Sequence, residues 1–341
     1  MIRISVFLVA LLLSGAPPTL AQWTSSRADG HAPLGVMGDH THHAGEIMLS
    51  YRYMYIVMED SRVGTAKISN WNVVNPDGDY QYSVTPTSMP MQVHMFGVMY
   101  SPTDFATLTL TIPVHQNLMD HMARDARTFT TVSRGLGDIK LGGLIRLPKW
   151  DRQSVHLNLA VGIPTGSIDK QDVTPASAPL PTQLPYPMQT GSGTWDVTTG
   201  LTYLGQITDL SWGIQGLGTF RLGTNSRGYA LGSTYHGTGW LAYRFVREVS
   251  ASLRGVLTRQ HNIDGADPDL DPAFAPTADP LLRAFTRAEV GMGLNTYVTS
   301  GFFNGLRLAV EGLIPFYQNL DGPQLEMDWT LVAGGQFSTH F

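Results

Sequence analysis

The sequence predicts an all-β fold, a transmembrane antiparallel up-and-down β-barrel of about twelve strands. Three observations support this prediction. The last stretch, Leu325 to Phe341, alternates between a mostly apolar row and a mostly polar row and ends on an aromatic residue. Several earlier segments show the same period of two. The connections between these segments are alternately short and long, which is typical of membrane barrels and has no reason to occur in a soluble sandwich.

The composition agrees with a barrel that is exposed to lipid. Charged residues make up 14% of the 341 residues, against roughly 25% in soluble domains. Mean hydropathy is −0.05, and beyond the N-terminus no apolar run approaches the length of a membrane helix of about eighteen residues. A barrel places its apolar residues at alternate positions, so its average hydropathy looks soluble. The net charge of −5 argues against a nucleic-acid partner.

The N-terminus predicts export. Residues 1–21 have the pattern of a signal peptide, with Arg3, an apolar core from Phe7 to Leu13, and a cleavage site ending at Ala21. We therefore expect the bacterial outer membrane as the location and its lipid as a partner. Residues 22–45 are expected to form a coil that lies in the periplasm or plugs the lumen, and residues 46–341 to form the barrel.

Twelve segments alternate clearly enough to be predicted as strands. They are Glu46–Met58, Met91–Tyr100, Phe105–His115, Asp138–Leu147, Ser154–Ile163, Thr194–Leu204, Leu210–Leu222, Thr234–Phe245, Val249–Arg259, Thr286–Val298, Gly305–Leu313 and Leu325–Phe341. Connections after the even strands are short, and those after the odd strands tend to be long. An even number of strands also places both termini in the periplasm.

Arg52 decides which face of the first strand is inside. An arginine on the lipid face costs about 2–4 kcal/mol at mid-depth, so the row that contains Arg52 should face the lumen. The predicted lumen-lining charges are Arg52, Lys140, Arg146, Arg221, Arg244, Arg254, Arg307 and Glu311. Their positive excess favours anions, or else these charges pair with one another across a narrow barrel.

Methionine and histidine are concentrated in the first third of the chain. The candidate metal ligands are Met37, His40, His42, His43, Met48, Met54, Met58, Met91, Met95, Met99, His115, Met119, His121 and Met122. Thioethers bind Cu(I), and imidazole binds copper or zinc. The alternative is that methionine fills irregular apolar space. The sequence does not decide whether the Met91–Met99 row faces the lumen or the lipid, because the opposite row of that strand holds the polar residues Gln92 and His94. The last four ligands are expected in an external loop.

An enzymatic function is not expected. The sequence has no phosphate loop, dinucleotide fingerprint or zinc-protease motif. Ser154 and His156 share one strand face, but such pairs arise often by chance. Five aromatic residues are expected in interfacial girdles. They are Trp195, Tyr203, Trp212, Trp240 and Trp329.

Two glycine-rich motifs carry a family resemblance. Arg134-Gly135-Leu136-Gly137-Asp138 and Gly191-Ser192-Gly193-Thr194-Trp195-Asp196 resemble the exported barrels labelled as members of the meta-pathway of phenol degradation, also called simply transporters. Gly38-Asp39-His40, Gly45-Glu46 and Ser50 to Met54 look like a branch of that family rich in methionine and histidine. The resemblance implies an outer-membrane barrel that passes a small molecule, and it brings no catalytic residues.

These observations predict an outer-membrane channel or transporter for small solutes, with copper or another soft metal ion as one candidate. Hydrophobic or aromatic compounds are the alternative, and a metal-binding surface barrel without transport is a second one. No cofactor is required, although copper ions could bind. If metal passes, a periplasmic metal-handling protein would be a further partner.

Overall fold

A computed structural model describes residues 23–148 and 150–340. The predicted signal peptide and Phe341 lie outside the described residues. The regular secondary structure of the described residues is almost entirely β-strand, and the predicted fold class is confirmed. Among these residues no helix is both long enough and apolar enough to cross a membrane.

The described residues form seventeen strands and a few short helical turns. The strands are β1 Glu46–Gly64, β2 Ala66–Ile68, β3 Val84–Thr103, β4 Ala106–Ala123, β5 Thr128–Leu136, β6 Ile139–Arg146, β7 Gln153–Ile163, β8 Gln171–Val173, β9 Pro181–Gln183, β10 Trp195–Ile207, β11 Leu210–Leu222, β12 Tyr229–Ala230, β13 Thr234–Val246, β14 Val249–Gln260, β15 Asp264–Gly265, β16 Phe285–Tyr297 and β17 Leu306–His340. The helix α1 is Asn70–Val74, and 3₁₀ turns lie at Tyr186–Met188, Pro276–Ala278 and Pro280–Leu282.

Eleven strands close into one antiparallel barrel. Their order is β17-β16-β14-β13-β11-β10-β7-β6-β4-β3-β1, and β17 pairs with β1 to complete the ring. The closing register begins with Glu46 opposite His340 and continues to Gly64 opposite Leu320. Because these eleven strands close on themselves, the ring has no free edge among the described residues. Two further strands of the same sheet lie outside the ring, β2 paired with β1 and β5 paired with β4.

The strand β17 runs along the barrel twice, once in each direction. Its first part pairs with β16 up to Leu320, and its second part pairs with β1 from Gln324 onward. Gly322, between the two parts, has φ +66°, a left-handed conformation that glycine adopts without strain. Ten strands run along the barrel once and β17 does so twice, so the wall consists of twelve strand segments, the number that the sequence predicts. The long connection expected before the last strand is instead a tight turn at Asp321 and Gly322.

Several strands are longer than predicted. The first continues to Gly64, the second starts at Val84, and the third runs to Ala123. About half of the additional residues are polar. They extend the wall beyond the apolar zone, where regular alternation is no longer required. His115, Met119, His121 and Met122 therefore belong to β4, and the prediction that they lie in an external loop is wrong.

The two ends of the barrel differ. The connections β3–β4, β6–β7, β10–β11, β13–β14 and β16–β17 lie at one end, together with Glu46 and His340. We call it the short-turn end. The opposite end, the long-loop end, holds the segments that leave β1, β4, β7, β11 and β14. The long connection 164–194 is ordered there by the β8–β9 hairpin and the 3₁₀ turn at Tyr186–Met188.

The outer face of the wall is apolar. Exposed large side chains recur on alternate positions of the barrel strands, including Leu49, Phe96, Leu108, Leu141, Leu159, Leu201, Ile214, Leu241, Leu253, Leu294 and Ile314. A continuous belt of this kind is not found on soluble monomers and fits contact with lipid. Trp195 and Trp329 lie on this outer face, as expected for a girdle. Trp240 does not, because it is buried inside the barrel against Ala32, Val36 and Leu204.

Candidate functional site

The N-terminal residues 23–45, which we call the inner segment, lie within the barrel. Ala28, His31, Leu34, Asp39 and His40 are buried. Because the segment has no strand partner, its backbone polar groups bond instead to side chains on the inner face of the wall.

These bonds come from strands all around the barrel. Ser250 on β14 donates to the carbonyl of Ala28 at 2.8 Å, and Glu311 on β17 accepts from the amide of Gly35 at 2.7 Å. On the opposite side, Asn158 on β7 donates to the carbonyl of Gly38 at 2.8 Å. The inner segment therefore crosses the lumen from wall to wall.

The predicted lumen charges hold this segment in place. Arg307 on β17 donates to the carbonyl of Ala32, and Arg146 on β6 donates to Oγ1 of Thr41 at 2.7 Å. Arg254 pairs with Glu311 at 2.8 Å. Arg244 lies at the short-turn end, where it pairs with Asp209 at 2.6 Å.

A chamber of about 540 Å³ remains between the inner segment and the wall. Strands β1, β3, β4, β6, β7, β10 and β11 contribute to it, and residues 189–192 of the long connection line it as well. Its lining combines methionine side chains with the cations of Arg52, Lys140 and Arg221. A chamber of this size accommodates a small organic molecule.

The carboxylates at the chamber are already engaged. Asp196 pairs with Arg221 and accepts a hydrogen bond from Oγ1 of Thr194 at 2.9 Å. Asp138 accepts from the amide of Gly166 at 2.9 Å and from the amide of Ser192 at 2.7 Å. No carboxylate among the described residues lies within 4 Å of the cations of Arg52 or Lys140. The chamber thus has two cations without a direct ion-pair contact in the described chain. At longer range Asp39 attracts Arg52, and Asp196 and Asp138 attract Lys140.

The two glycine-rich motifs meet at Asp138. Besides the amides of Gly166 and Ser192, Asp138 accepts from Oγ of Ser192 at 2.8 Å. A Cβ at Gly191 would clash with the backbone of Gly166, so glycine is required for this close approach. Asp138 therefore fastens the long connection 164–194 to the start of β6, beside the chamber.

We expect the Asp138→Ala variant to release this connection. Three hydrogen bonds to a charged acceptor disappear, each contributing about 1.5–3 kcal/mol. Limited trypsin digestion in detergent should cut after Lys170 on the order of tenfold faster, since 1.4 kcal/mol corresponds to a factor of ten.

The Asp269→Ala variant is the control, because Asp269 is an exposed partner of Arg227 on a neighbouring loop. Equal cleavage rates in both variants would mean that Asp138 does not hold the connection.

Methionine side chains form a column along the inner face of β1, β3 and β4. The rows of Met48, Met54 and Met58 and of Met91, Met95 and Met99 both face inward, and Met48 lies directly opposite Met99. Near the short-turn end, Met48 and Met99 pack on Leu144. Near the long-loop end, a second group is formed by Met58, Met89, Met91, Met119, Leu184, Met188 and Leu325.

Three histidines and one aspartate of the inner segment lie together. The rings of His31 and His40 are 4.4 Å apart and those of His40 and His42 are 4.7 Å apart, both edge to face. Nδ1 of His40 lies 3.0 Å from Oδ1 of Asp39. His31, Asp39 and His40 each offer a ligand atom, and these atoms lie within 4.8 Å of one another.

Burial and neighbouring charges shift the pKa values of His31 and Asp39. Burial lowers the pKa of His31 well below its ordinary value, and the neighbouring His40 lowers this pKa further. Burial alone would raise the pKa of Asp39, but the charge of His40 and its hydrogen bond lower it well below the ordinary range. His31 is therefore neutral and Asp39 ionised at pH 7.

Not every predicted ligand joins these groups. His43 is exposed and lies 3.3 Å from Asp104, away from the other histidines. Met122 lies on the row of β4 opposite to that of the buried Met119 and His121. His115 and Met37 line the chamber. The ligands predicted from the sequence did not include His31, Asp39, Met89 or Met188. His31 precedes His40 by nine positions, so no local spacing connected the two residues.

The Ser154 and His156 pair is not arranged for catalysis. Nε2 of His156 donates to the carbonyl of Gly38 at 2.9 Å, so this nitrogen is occupied by the inner segment. Both residues are buried beneath that segment. His156 thus contributes to holding the inner segment.

Comparison with solved structures supports the barrel fold. An outer-membrane channel from Pseudomonas putida F1 superposes with a TM-score of 0.61 at 13% identity, over 90% of this chain and 100% of that chain. No protein-family model matches the sequence, and no curated protein matches it. At this identity the likeness shows the fold alone.

Two other barrels resemble the chain less closely. The NanC porin has a TM-score of 0.44 at 8% identity, over 85% of this chain and 98% of its own. The toluene transporter TbuX of Ralstonia pickettii has a TM-score of 0.41 at 11% identity, over 88% of this chain and 90% of its own.

Proposed function

We propose that the protein is an outer-membrane channel for small solutes and that the inner segment is its plug. The observation that carries this proposal is the position of the inner segment, which crosses the lumen. It forms hydrogen bonds with inward-facing side chains of β14, β17 and β7. The apolar outer belt fits a membrane. The long-loop end would face outward and the short-turn end would face the periplasm.

We infer from the chamber that the solute is a small organic anion with an apolar part. Arg52 is 5% exposed, and its Nε has no hydrogen-bond partner among the described residues. Lys140 lines the same chamber, while the carboxylates of Asp138 and Asp196 are engaged elsewhere. A carboxylate would bind the two cations, and the methionine side chains would contact an apolar body.

The resemblance to the phenol-degradation barrels is consistent with an aromatic body. We propose membership of that family on the two motifs that converge at Asp138, Arg134 to Asp138 and Gly191 to Asp196. An aromatic acid combines both features of the chamber, its positive charge and its apolar methionine lining.

Passage of a soft metal ion such as Cu(I) is the second candidate. The methionine column favours it, because thioethers along β1, β3 and β4 extend from the short-turn end towards the long-loop end. The chamber disfavours it, because a cation there would meet the charges of Arg52 and Lys140. These charges lead us to prefer the organic anion.

Uptake into liposomes tests the proposal. In the Arg52→Gln/Lys140→Gln variant we expect benzoate uptake to fall on the order of tenfold or more, since a charge-assisted hydrogen bond contributes about 1.5–3 kcal/mol. Uptake of the neutral benzyl alcohol should change little. Arg244→Gln is the control, because Arg244 pairs with Asp209 away from the chamber.

The other outcomes are equally informative. Uptake of Ag(I) that is lost in the Met54→Leu/Met95→Leu variant, with benzoate uptake absent, would support the metal candidate instead. If no probe crosses a membrane that contains folded protein, the channel proposal fails. A binding barrel without transport would then be the better description.

A further inference from the structure

The inner segment holds an imidazole cluster that no step of solute passage uses. His31, His40 and His42 are 5%, 0% and 1% exposed, and Asp39 is 3% exposed. Three nitrogens of these rings, Nδ1 of His31, Nε2 of His40 and Nε2 of His42, are buried without a hydrogen-bond partner among the described residues, whereas Nδ1 of His42 lies 3.3 Å from a carboxylate oxygen of Glu46. Buried polar atoms are normally satisfied, so a group of unsatisfied ones at one point calls for a ligand.

The orientation of the rings fits a metal ligand set. Nδ1 of His40 lies 3.0 Å from Oδ1 of Asp39, so this nitrogen and the carboxylate face each other. Nδ1 of His31 lies 4.0 Å from Oδ2 of the same carboxylate and has no hydrogen-bond partner among the described residues. Oδ2 is held in turn by the amide of Ala32 at 3.0 Å.

We propose that His31, Asp39 and His40, with His42 beside them, bind one divalent transition-metal ion of the zinc and copper(II) class. Imidazole nitrogens with one carboxylate are the ligands these ions prefer, whereas Ca²⁺ and Mg²⁺ require mostly oxygen ligands. The ligand atoms lie within 4.8 Å of one another. A tetrahedral ion needs them about 3.4 Å apart, so small side-chain rotations complete the site.

Charges of both signs lie near the cluster. Arg307 donates to the carbonyl of Ala32, and Arg52 interacts with Asp39, so two positive charges oppose a cation there. Asp39 contacts His40 directly and Glu46 lies 3.3 Å from Nδ1 of His42, so two carboxylates offset these charges.

A metal ion at this site would also connect two parts of the inner segment, near His31 and near His40. His31 and the adjacent Asp39 and His40 stand at the two ends of one loop, which turns at Gly38 with φ +59°. An ion that bridges these ends would close this loop, as metal ions do in small folded segments. This proposal does not depend on the identity of the transported solute, because binding is measured without flux.

Metal binding by the full mature protein in detergent, without a polyhistidine tag, tests the proposal. After chelation and desalting, Zn²⁺ or Cu²⁺ is added separately, and bound metal is measured by equilibrium dialysis with elemental analysis. We expect one ion per chain. The His31→Ala/His40→Ala variant should bind at least ~100-fold more weakly, since even supporting residues of metal sites contribute 10–100-fold.

The matched control is His43→Ala/His94→Ala, in which both histidines are exposed to a greater extent and lie outside the cluster. It should bind like the wild type. Equal binding by the cluster variant, or loss of binding only in the control, would overturn the proposal.

A second measurement does not depend on the folding of any variant. Co²⁺ added to the wild-type protein should give the intense visible absorption of a four-coordinate site. The weak spectrum of six-coordinate, hydrated Co²⁺, or no bound ion at all, would overturn the proposal. Failure of benzoate uptake would leave this result unaffected, so the two proposals can fail separately.

Discussion

Deletion of residues 23–41 should open the barrel and raise its single-channel conductance on the order of tenfold or more, because about twelve strands enclose a lumen that this segment now fills. The wall should survive the deletion. Its closure depends on the pairing of β1 with β17, which starts at Glu46. The inner side chains that lose their partners, such as Ser250 and Glu311, would be hydrated in an open lumen.

Conductance in a planar bilayer and heat-modifiable gel migration check this expectation together. The control replaces residues 23–41 by a glycine and serine sequence of equal length, which keeps the chain but removes its contacts. It should conduct more than the wild type and less steadily than the deletion. Unchanged conductance in a deletion that still migrates as a folded barrel would show that the inner segment does not block the lumen.

The strand pattern could be predicted because lipid and lumen impose opposite demands on alternate residues. The face of β3 could not, since Gln92 and His94 seemed too polar for the outer row. The structure places both on the outer face and pairs them with tyrosines of β1. The hydroxyl of Tyr53 donates to Gln92 at 3.1 Å, and that of Tyr51 lies 2.8 Å from Nδ1 of His94. Cross-strand partners thus change the effective polarity of a residue.

The inner segment was harder to predict because it has no periodicity. The histidines at positions 40, 42 and 43 form one tract in the sequence, yet His43 turns outward to Asp104 while His40 and His42 are buried. The carbonyls and amides of the segment are satisfied by side chains from distant strands. Such contacts depend on barrel closure, which no local spacing encodes.

Arg307 should be the residue on which the closed state depends most. It is 2% exposed and donates to the carbonyl of Ala32 at 2.5 Å, to Oδ1 of Asn295 at 2.5 Å and to Oε1 of Gln336 at 2.7 Å. The Arg307→Met variant keeps much of the volume but leaves three acceptors without a donor. Each costs about 1–3 kcal/mol when it stays buried.

Release of the inner segment removes one of these costs, so the variant shifts the balance towards the open state. Since 1.4 kcal/mol corresponds to a factor of ten, the open fraction should rise on the order of tenfold. Hydrogen exchange of residues 28–40 and the open probability in bilayers measure this shift. Arg244→Met is the control, because Arg244 bonds to Asp209 and Thr208 at the short-turn end.

A double-mutant cycle separates a role in closure from a general loss of stability. In the chain that lacks residues 23–41, Arg307 has lost its contact with Ala32, and Arg307→Met should not raise conductance further. Two sites that act through one contact are expected to be non-additive in this way. Equal effects of Arg307→Met in both backgrounds would mean that Arg307 supports the wall between β16 and β17 and does not hold the plug.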